Sequence, residues 1–233
     1  MTSLADISRA VLDAWAVAVP TECSGCGAPD RSLCASCQGA LRLDLHSSKR
    51  GGVAVWSALD YSGVARRVIG AYKDGGRTDV ASALAAPLLC AVAATLAAAP
   101  LDEGKGGVHL VTIPSSKLAW RIRGFHPVKL LLKRAGFVPR AVLRQVGEAA
   151  DQVGLGRAAR GRNKHGSLVA LRPLDGLSCL IVDDILTTGA TILEARRAVL
   201  EAGGEVLGLA TLAETRRLYP VSNRSQETGR ENL

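Results

Sequence analysis

The sequence predicts an α/β protein in which a parallel sheet is flanked by helices. Short apolar segments alternate with helical segments along the chain, and this order is typical of βαβ units. The residues are 48% hydrophobic but only 3% aromatic, a composition that suits helices packed closely on strands of branched aliphatic residues. With 233 residues, the chain is long enough for one main domain and a small appended module.

The N-terminal region is predicted to contain a helix and then a small metal-binding module. Apolar side chains recur at helical spacing within residues 1–20. Residues 21–45 contain two Cys-x-x-Cys pairs, formed by Cys23, Cys26, Cys34 and Cys37. Four thiolates can hold one tetrahedral ion, and structural zinc is expected because it prefers such ligands. Iron in the same site, redox dithiols and disulfides remain alternatives.

The main domain is predicted over residues 53–215, after a polar linker at 46–52 that ends in two glycines. Its alternating elements indicate a parallel sheet with helices on both faces. The predicted strands are 53–59, 108–113, 168–171, 179–182 and 206–212. The predicted helices are 61–72, 78–100, 118–135 with interruptions at Gly124 and Pro127, and 191–202. Residues 221–233 are polar and are expected to be disordered.

Neither of the two long apolar segments of the chain is predicted to be a secretory signal or a membrane span. Charged side chains within residues 6–13 interrupt the N-terminal segment, which excludes a typical secretory signal. Residues 80–101 carry no charge and are long enough to span a bilayer. However, this segment is rich in alanine and contains Pro87, so insertion would gain little free energy. We expect a buried helix, no membrane insertion and a cytoplasmic location.

The chain carries a formal net charge of +8 and has a sequence pI of about 9.5. A surface of this charge attracts phosphates, anionic substrates and nucleic acids. Much of the excess lies in residues 121–172, where aromatic side chains are scarce. This scarcity argues against sequence-specific reading of nucleic acid. A solvated basic face without a ligand is the alternative.

The stretch with the most chemical information is residues 179–191, with the sequence Cys-Leu-Ile-Val-Asp-Asp-Ile-Leu-Thr-Thr-Gly-Ala-Thr. A buried strand is predicted to end in Asp183 and Asp184 and to lead through a glycine-containing turn into a helix. Ligands of open parallel sheets bind beyond the carboxyl ends of strands, and amides at a helix N-terminus attract phosphate. The two carboxylates can accept hydrogen bonds from vicinal ribose hydroxyls or contact magnesium. A turn with an ordinary helix cap is the alternative.

This stretch resembles the ribose-phosphate signature of type I phosphoribosyltransferases and, more closely, that of the ComF family. Other matching segments occur in the family's order: the cysteine pairs, Tyr72-Lys73, Ile113-Pro114, residues 121–125 and residues 152–155. The resemblance covers residues 23–212. It implies a type I phosphoribosyltransferase-like parallel sheet flanked by helices, with a small N-terminal zinc module that contains four cysteines.

The resemblance also implies roles for individual residues. Asp183 and Asp184 would bind the ribose hydroxyls, and Asp183 is the candidate for stabilising positive charge at C1. The 5-phosphate would be bound by Thr187, Thr188, Gly189, Ala190 and Thr191. The pyrophosphate, together with magnesium, would be bound by Lys73, Arg121, Arg123 and Gly124. A flap over the site would include Gln152, Arg160 and Asn163.

The implied function is that of a phosphoribosyltransferase that binds phosphoribosyl pyrophosphate or a nucleotide. Two alternatives remain open: a nucleotide sensor without turnover, and a ComF-type accessory factor for DNA uptake that binds single-stranded DNA. Relatives of this type often dimerise, so a homodimer is also an expectation. The chain has His126-Pro127 where the family pattern has Asn-Gln, so the side of the site that would meet the acceptor departs from the family.

Overall fold

The computed structural model describes residues 21–100, 107–146 and 165–216. Several sequence predictions fall outside the described residues. They are the helix within residues 1–20, the disordered tail at 221–233, and the flap residues Gln152, Arg160 and Asn163.

Within the described residues the main sheet has five strands: β1 (His46–Arg50), β2 (Val53–Asp60), β3 (His109–Thr112), β6 (Ser178–Leu186) and β7 (Glu205–Glu214). They lie in the order β1-β2-β7-β6-β3. Neighbouring strands are parallel except β1 and β2, which form an antiparallel hairpin. Two shorter strands, β4 (Leu143–Gln145) and β5 (Leu168–Ala170), pair antiparallel in a separate sheet. The predicted α/β fold with a mostly parallel sheet is confirmed.

The helices of the described residues are α1 (Ala35–Ala40), α2 (Gly63–Lys73), α3 (Ala81–Ala97), α4 (Lys117–Arg123), α5 (Pro127–Arg134) and α6 (Ala190–Glu201). A 3-10 turn at Thr78–Val80 precedes α3. Gly124 ends α4 in the left-handed conformation, and Pro127 begins α5. The predicted interruption of the 118–135 helix is therefore confirmed, because glycine adopts positive φ without strain and proline is tolerated in a first helical turn.

Each face of the main sheet has its own hydrophobic core. Side chains alternate along a strand, so Leu180 and Val182 on β6 pack on the face covered by α2, α3 and α5. Cys179 and Ile181 pack on the opposite face, against α6 and the small sheet. All four side chains are fully buried. This double coverage explains why the central strands have nearly continuous apolar sequences.

The uncharged helix α3 packs directly on the sheet. With the turn that precedes it, α3 is long and apolar enough by composition to cross a membrane, the single such case in the part of the chain that is described. Its side chains Leu84 and Leu88 are fully buried in the core. Gly208 on β7 permits the close approach, because a Cβ there would lie 2.3 Å from Thr95 Cγ2. The prediction of a core helix is confirmed.

The prediction of a polar linker at residues 46–52 is wrong. Residues His46–Arg50 form β1, which pairs along its whole length with β2. Gly51 and Gly52 both have positive φ, 55° and 80°, and make the two-residue turn of a hairpin. The strand has a polar sequence because it lies at the edge of the sheet, where alternate side chains are exposed.

The boundary predicted for β6 is also wrong. The strand continues past Asp183 and Asp184 to Leu186, because pairing with β7 extends through Ile185 and Leu186. The strand predicted at 168–171 forms as β5 but belongs to the small antiparallel sheet, not to the parallel one. Its partner β4 was not predicted, since three residues are too few for a periodic pattern.

Candidate functional site

A cavity of about 520 Å³ opens at the carboxyl ends of β3 and β6. This is the edge at which parallel sheets bind ligands, and the volume is typical of small-molecule sites. The predicted site residues that line it are Lys73, Arg123, Asp183, Asp184, Thr187 and Thr191. Residues from distant parts of the sequence therefore meet in one concave space.

The two acidic residues point to different parts of the cavity. Asp183 lies beside the loop after β6 and also lines a small depression with Thr187, Gly189 and Thr191. Its carboxylate accepts a hydrogen bond from the amide of Asp184 at 2.9 Å. Because strand side chains alternate, the carboxylate of Asp184 lies on the other side. The site thus presents one acid beside the loop and one beside α2.

Asp184 is paired with Lys73 at the end of α2. The lysine Nζ lies 2.8 Å from Asp184 Oδ2, and both side chains are less than 20% exposed. An ion pair with so little water around it is screened less than a surface pair. The family resemblance indicated Lys73 as a pyrophosphate ligand. The structure places Lys73 in the cavity, where the carboxylate of Asp184 compensates its positive charge.

The loop between β6 and α6, residues 187–189, turns sharply at Gly189. This glycine has a φ of 83°, and a Cβ there would lie 2.7 Å from Arg50 Cγ. The hydroxyl of Thr188 accepts a hydrogen bond from the amide of Ala190 at 3.3 Å. Thr187 and Thr188 are both exposed, but only Thr187 and Thr191 of the three threonines line the cavity. The loop and the first turn of α6 therefore supply backbone donors and hydroxyls at one end of the cavity.

The two arginines of α4 are not equivalent. Arg123 lines the cavity, and its guanidinium lies 3.0 Å from Asp74. Arg121 is exposed and is not among the described lining residues, because positions two apart on a helix face different directions. Gly124 caps α4, and its amide donates to the carbonyl of Trp120. The structure brings Arg123 to the site and leaves Arg121 outside it.

Sequence reasoning did not assign roles to His126 and Ser115, which also line the cavity. His126 Nδ1 lies 3.2 Å from Ser115 Oγ. Burial lowers the pKa of His126, and the positive charge of Lys129 lowers it further. The neutral imidazole is therefore favoured at pH 7. The departure from the family's Asn-Gln pattern was the signal in the sequence that pointed to this position.

Tyr72 supports the loop that contains His126. The phenol is 1% exposed and donates a hydrogen bond to the carbonyl of Pro127 at 2.8 Å. Its ring contacts Phe125, with centroids 5.3 Å apart. Burial raises the pKa of Tyr72, and the nearby charge of Asp184 adds to this effect. The hydroxyl therefore stays protonated as a donor and holds the start of α5 beside the cavity.

The four cysteines of the N-terminal module come together in a second cluster. Their Sγ atoms lie within 4.8 Å of one another, and those of Cys26 and Cys34 are 3.7 Å apart. Tetrahedral zinc with Zn–S bonds of about 2.3 Å requires sulfur separations of about 3.8 Å. Gly25 is needed for this approach, since a Cβ there would lie 2.6 Å from Cys37 Sγ. The cluster can therefore hold zinc.

Backbone amides favour thiolate at one position of this cluster. Burial acts to raise the pKa of Cys23, but amide donors from Cys34, Gly25 and Cys26 outweigh it and lower the pKa to about 6. In contrast, burial and the neighbouring thiols raise the pKa of Cys37 to about 12 in the absence of a cation. A bound dication removes this repulsion and favours the thiolate.

Comparison with known proteins identifies the family of the main domain. The sequence model of the phosphoribosyl transferase domain matches residues 84–229. The chain belongs to this family. The DNA utilization protein YhgH of Salmonella typhi is 30% identical over 68% of this chain and 71% of its own length. The chain is thus a ComF-family member of the type I phosphoribosyltransferase superfamily.

Other relatives match over shorter stretches. An orotate phosphoribosyltransferase of Pyrobaculum calidifontis is 38% identical over 33% of this chain, and one of Xylella fastidiosa is 32% identical over 29%. The matches span only 40% and 31% of those two enzymes. A solved structure of adenine phosphoribosyltransferase aligns with 76% of this chain and 89% of its own, at 16% identity and a TM-score of 0.36.

Proposed function

We propose that this protein binds phosphoribosyl pyrophosphate, or a nucleotide related to it, with magnesium, and transfers the phosphoribosyl group to or from a nitrogenous acceptor. The observation that carries the proposal is the shared cavity of Asp183, Asp184 and the loop from Thr187 to Thr191. A sugar that carries a vicinal diol and a phosphate monoester needs carboxylate acceptors for the diol and amide donors for the phosphate, and this cavity offers both.

The phosphate end of the sugar is assigned to the loop after β6. Amides at the start of α6 and the hydroxyls of Thr187 and Thr191 donate hydrogen bonds to phosphate oxygens. The partial positive charge at the helix N-terminus adds to this attraction. Ala190 takes part through its backbone, since its side chain is not among the described residues that line the cavity.

The pyrophosphate end is assigned to Lys73 and Arg123. Arg123 is held by Asp74 and can present its remaining donors to an anion. Lys73 contacts only one oxygen of Asp184, Oδ2. The other carboxylate oxygen can accept from the ribose hydroxyls, and the remaining donors of the ammonium can reach the pyrophosphate.

Magnesium fits the chemistry of this donor set. Asp183 and Asp184 offer carboxylate oxygens, which Mg²⁺ prefers, and Mg²⁺ commonly shares its coordination between carboxylates and substrate phosphates. When bound, the ion would neutralise charge on the pyrophosphate.

Transfer requires little covalent chemistry from the protein. The bond from C1 to pyrophosphate breaks, a bond from C1 to the acceptor nitrogen forms, and the acceptor releases a proton. Positive charge on the ring and negative charge on the leaving group develop together, so positioning and electrostatic stabilisation supply most of the acceleration. Asp183 is the candidate for stabilising charge at C1, and neutral His126, which lines the same cavity, is the candidate for a contact with the acceptor.

Calorimetric titration with phosphoribosyl pyrophosphate and magnesium tests the proposal. We expect Asp183→Asn and Asp184→Asn each to weaken binding at least tenfold, because each loses a charge-assisted hydrogen bond worth about 1.5–3 kcal/mol. Asp175→Asn is the matched control, since Asp175 is exposed and lies beside Gly203, before the start of β7. Absence of binding by the wild type, or equal binding by all three variants, would remove the basis of the proposal.

A non-catalytic role is the first alternative. A sensor that binds the same ligand without turnover would release no pyrophosphate with any acceptor base. An assay of pyrophosphate release over a panel of nitrogenous bases distinguishes the two roles. Release of pyrophosphate with any one base would show that the protein is an enzyme.

The second alternative is a ComF-type accessory factor for DNA uptake that binds single-stranded DNA. The Salmonella relative is named a DNA utilization protein, which supports a role connected with DNA. Helix α4 offers an exposed Trp120 beside exposed Lys117 and Arg121, a combination suited to base stacking and phosphate contact. Fluorescence anisotropy with single-stranded DNA at several salt concentrations tests it, and binding should weaken steeply as salt rises.

Two further properties belong to the same proposal. We also propose a cytoplasmic location, because none of the six cysteines forms a disulfide and thiols and thiolate metal ligands persist in a reducing compartment. We propose a homodimer because relatives of this type often dimerise, and sedimentation velocity would show whether it forms.

A further inference from the structure

The edge strand β1 is anchored to the end of β7 by a buried carboxylate. Glu214 is 4% exposed. One of its oxygens lies 2.5 Å from the guanidinium of Arg50, and the other lies 3.0 Å from Nε2 of His46. A buried acid is stable only with partners of this kind. The two partners come from opposite ends of β1, so the strand is held firmly against the sheet.

Arg50 also reaches the loop after β6. Its Nε donates to the carbonyl oxygen of Thr187 at 3.3 Å, and its aliphatic stem lies against the Cα of Gly189. Its Nη1 donates to the hydroxyl of Ser48 and to the carbonyl of Lys49. Because the guanidinium is planar and all three of its nitrogens have partners, the group is held in one orientation.

The orientation of one loop peptide follows from this contact. Among the described residues no peptide bond is cis, and in a planar trans peptide the C=O and N–H point in opposite directions. A Thr187 carbonyl directed toward Arg50 therefore directs the amide N–H of Thr188 away from Arg50. Thr187 and Thr191 line the cavity, whereas Arg50 is not among its described lining residues.

We propose that Arg50 is a positioning residue that fixes the Thr187–Thr188 peptide for binding the phosphate monoester of the ligand, without touching the ligand itself. The proposal rests on the function proposed above, since it concerns the phosphate end of the same site. Glu214 and His46 hold Arg50 in place. The edge strand, whose sequence suggested only a linker, is then part of the binding apparatus.

The experiment compares two ligands that use different ends of the cavity. Ribose 5-phosphate has the monoester group, whereas magnesium pyrophosphate lacks it. We expect Arg50→Met to raise the dissociation constant for ribose 5-phosphate about tenfold or more, because a misdirected amide loses a hydrogen bond to a charged oxygen. The dissociation constant for magnesium pyrophosphate should change less than twofold.

Two variants control for charge and for folding. Lys49→Met removes the same charge from the preceding residue of β1, whose side chain is exposed, and should leave both dissociation constants unchanged. Arg50→Lys keeps the cation but lacks the planar fork, so it should resemble Arg50→Met if orientation matters and wild type if only charge matters. It also provides the test should Arg50→Met fail to fold.

The outcomes separate this inference from the proposed function. If wild type binds neither ligand, the proposed function fails and this inference fails with it. If wild type binds both and the Arg50 variants match wild type, or lose affinity equally for both ligands, the positioning role is overturned while the site stands. Selective loss for ribose 5-phosphate supports it.

Discussion

Buried charges with specific partners are the residue-scale feature that connects the separate parts of this fold. Glu194 on α6 is 5% exposed and accepts hydrogen bonds from Arg197 at 2.7 Å and from the amide of Leu168 at 3.1 Å. Arg197 also donates to the carbonyl of Leu168. The pair therefore joins α6, which begins directly after the loop that follows β6, to the first residue of β5.

The ionisation of Glu194 should make stability depend on pH. Burial acts to raise the pKa of Glu194, but Arg197 and the Leu168 amide outweigh it, so the pKa lies below its ordinary value of 4.5. The carboxylate therefore contributes stability that is present above pH 4.5 and is lost as pH falls through the lower folded pKa. We expect Glu194→Gln to lower the free energy of unfolding by about 1–3 kcal/mol at pH 7, with the difference shrinking toward pH 3.

Denaturant unfolding of both proteins across this pH range measures the effect. Glu201→Gln is the control, because Glu201 also contacts Arg197 but its side chain is 64% exposed. An exposed ion pair of this kind contributes little to the free energy of unfolding. If the free energy of unfolding that Glu194→Gln loses stays constant with pH, the assigned ionisation of Glu194 is contradicted.

At the scale of elements, the turn that links β6 to α6 depends on Gly189 for two separate reasons. Its φ of 83° is costly for any residue with a side chain, and its Cα faces the stem of Arg50. Gly136, after α5, has a φ of 84° but open space where a Cβ would lie. Comparing substitutions at Gly189 and Gly136 therefore distinguishes the cost of backbone strain from the cost of steric overlap.

Alanine substitutions at these two positions should lower the free energy of unfolding by different amounts. We expect Gly136→Ala to destabilise by about 1 kcal/mol through strain alone, and Gly189→Ala by about 2–4 kcal/mol because Arg50 must also move. Thermal and chemical denaturation measure both values. Gly189→Ala should in addition weaken binding of ribose 5-phosphate, whereas Gly136→Ala should not. Equal destabilisation would argue against the contact between Arg50 and the turn.

At the scale of the whole molecule, the described residues form a phosphoribosyl transferase-type sheet domain with a small cysteine module docked on α2. Arg67 donates to the carbonyl of Gly25, and Arg77 donates to the carbonyl of Glu22 at 2.8 Å. The module has a single short helix in its described part, α1, and too few apolar residues for a core of its own. It should therefore depend on its metal for order.

Removal of the metal should lower stability without unfolding the main sheet. We expect about one zinc per chain by elemental analysis, and a fall in Tm of several degrees on chelation, since each kcal/mol corresponds to about 2–4 °C in a domain of this size. Cys34→Ser should lose the ion and reproduce the lower Tm. Cys90→Ser is the control, because Cys90 lies on α3 outside the cluster. Full zinc content in Cys34→Ser would contradict the assigned ligands.

The sequence by itself determined the features that depend on neighbouring residues. Alternating apolar segments located most strands and helices, Gly124 and Pro127 marked the helix break, and cysteine spacing indicated the four-thiolate cluster. The acid pair and the glycine turn indicated the chemistry of the loop. These signals are readable because helix periodicity, capping and turn conformation are decided within a few residues.

Only the tertiary structure decided which distant residues meet. The polar stretch at 46–52 became an edge strand through backbone pairing, which carries little side-chain signal. Arg50 contacts a carbonyl 137 positions away, Lys73 pairs with Asp184, and Arg123 lines the cavity without Arg121. Strand order, strand register and the packing of helices beside the sheet set these contacts, and because all three are properties of the folded domain, no local pattern could specify them.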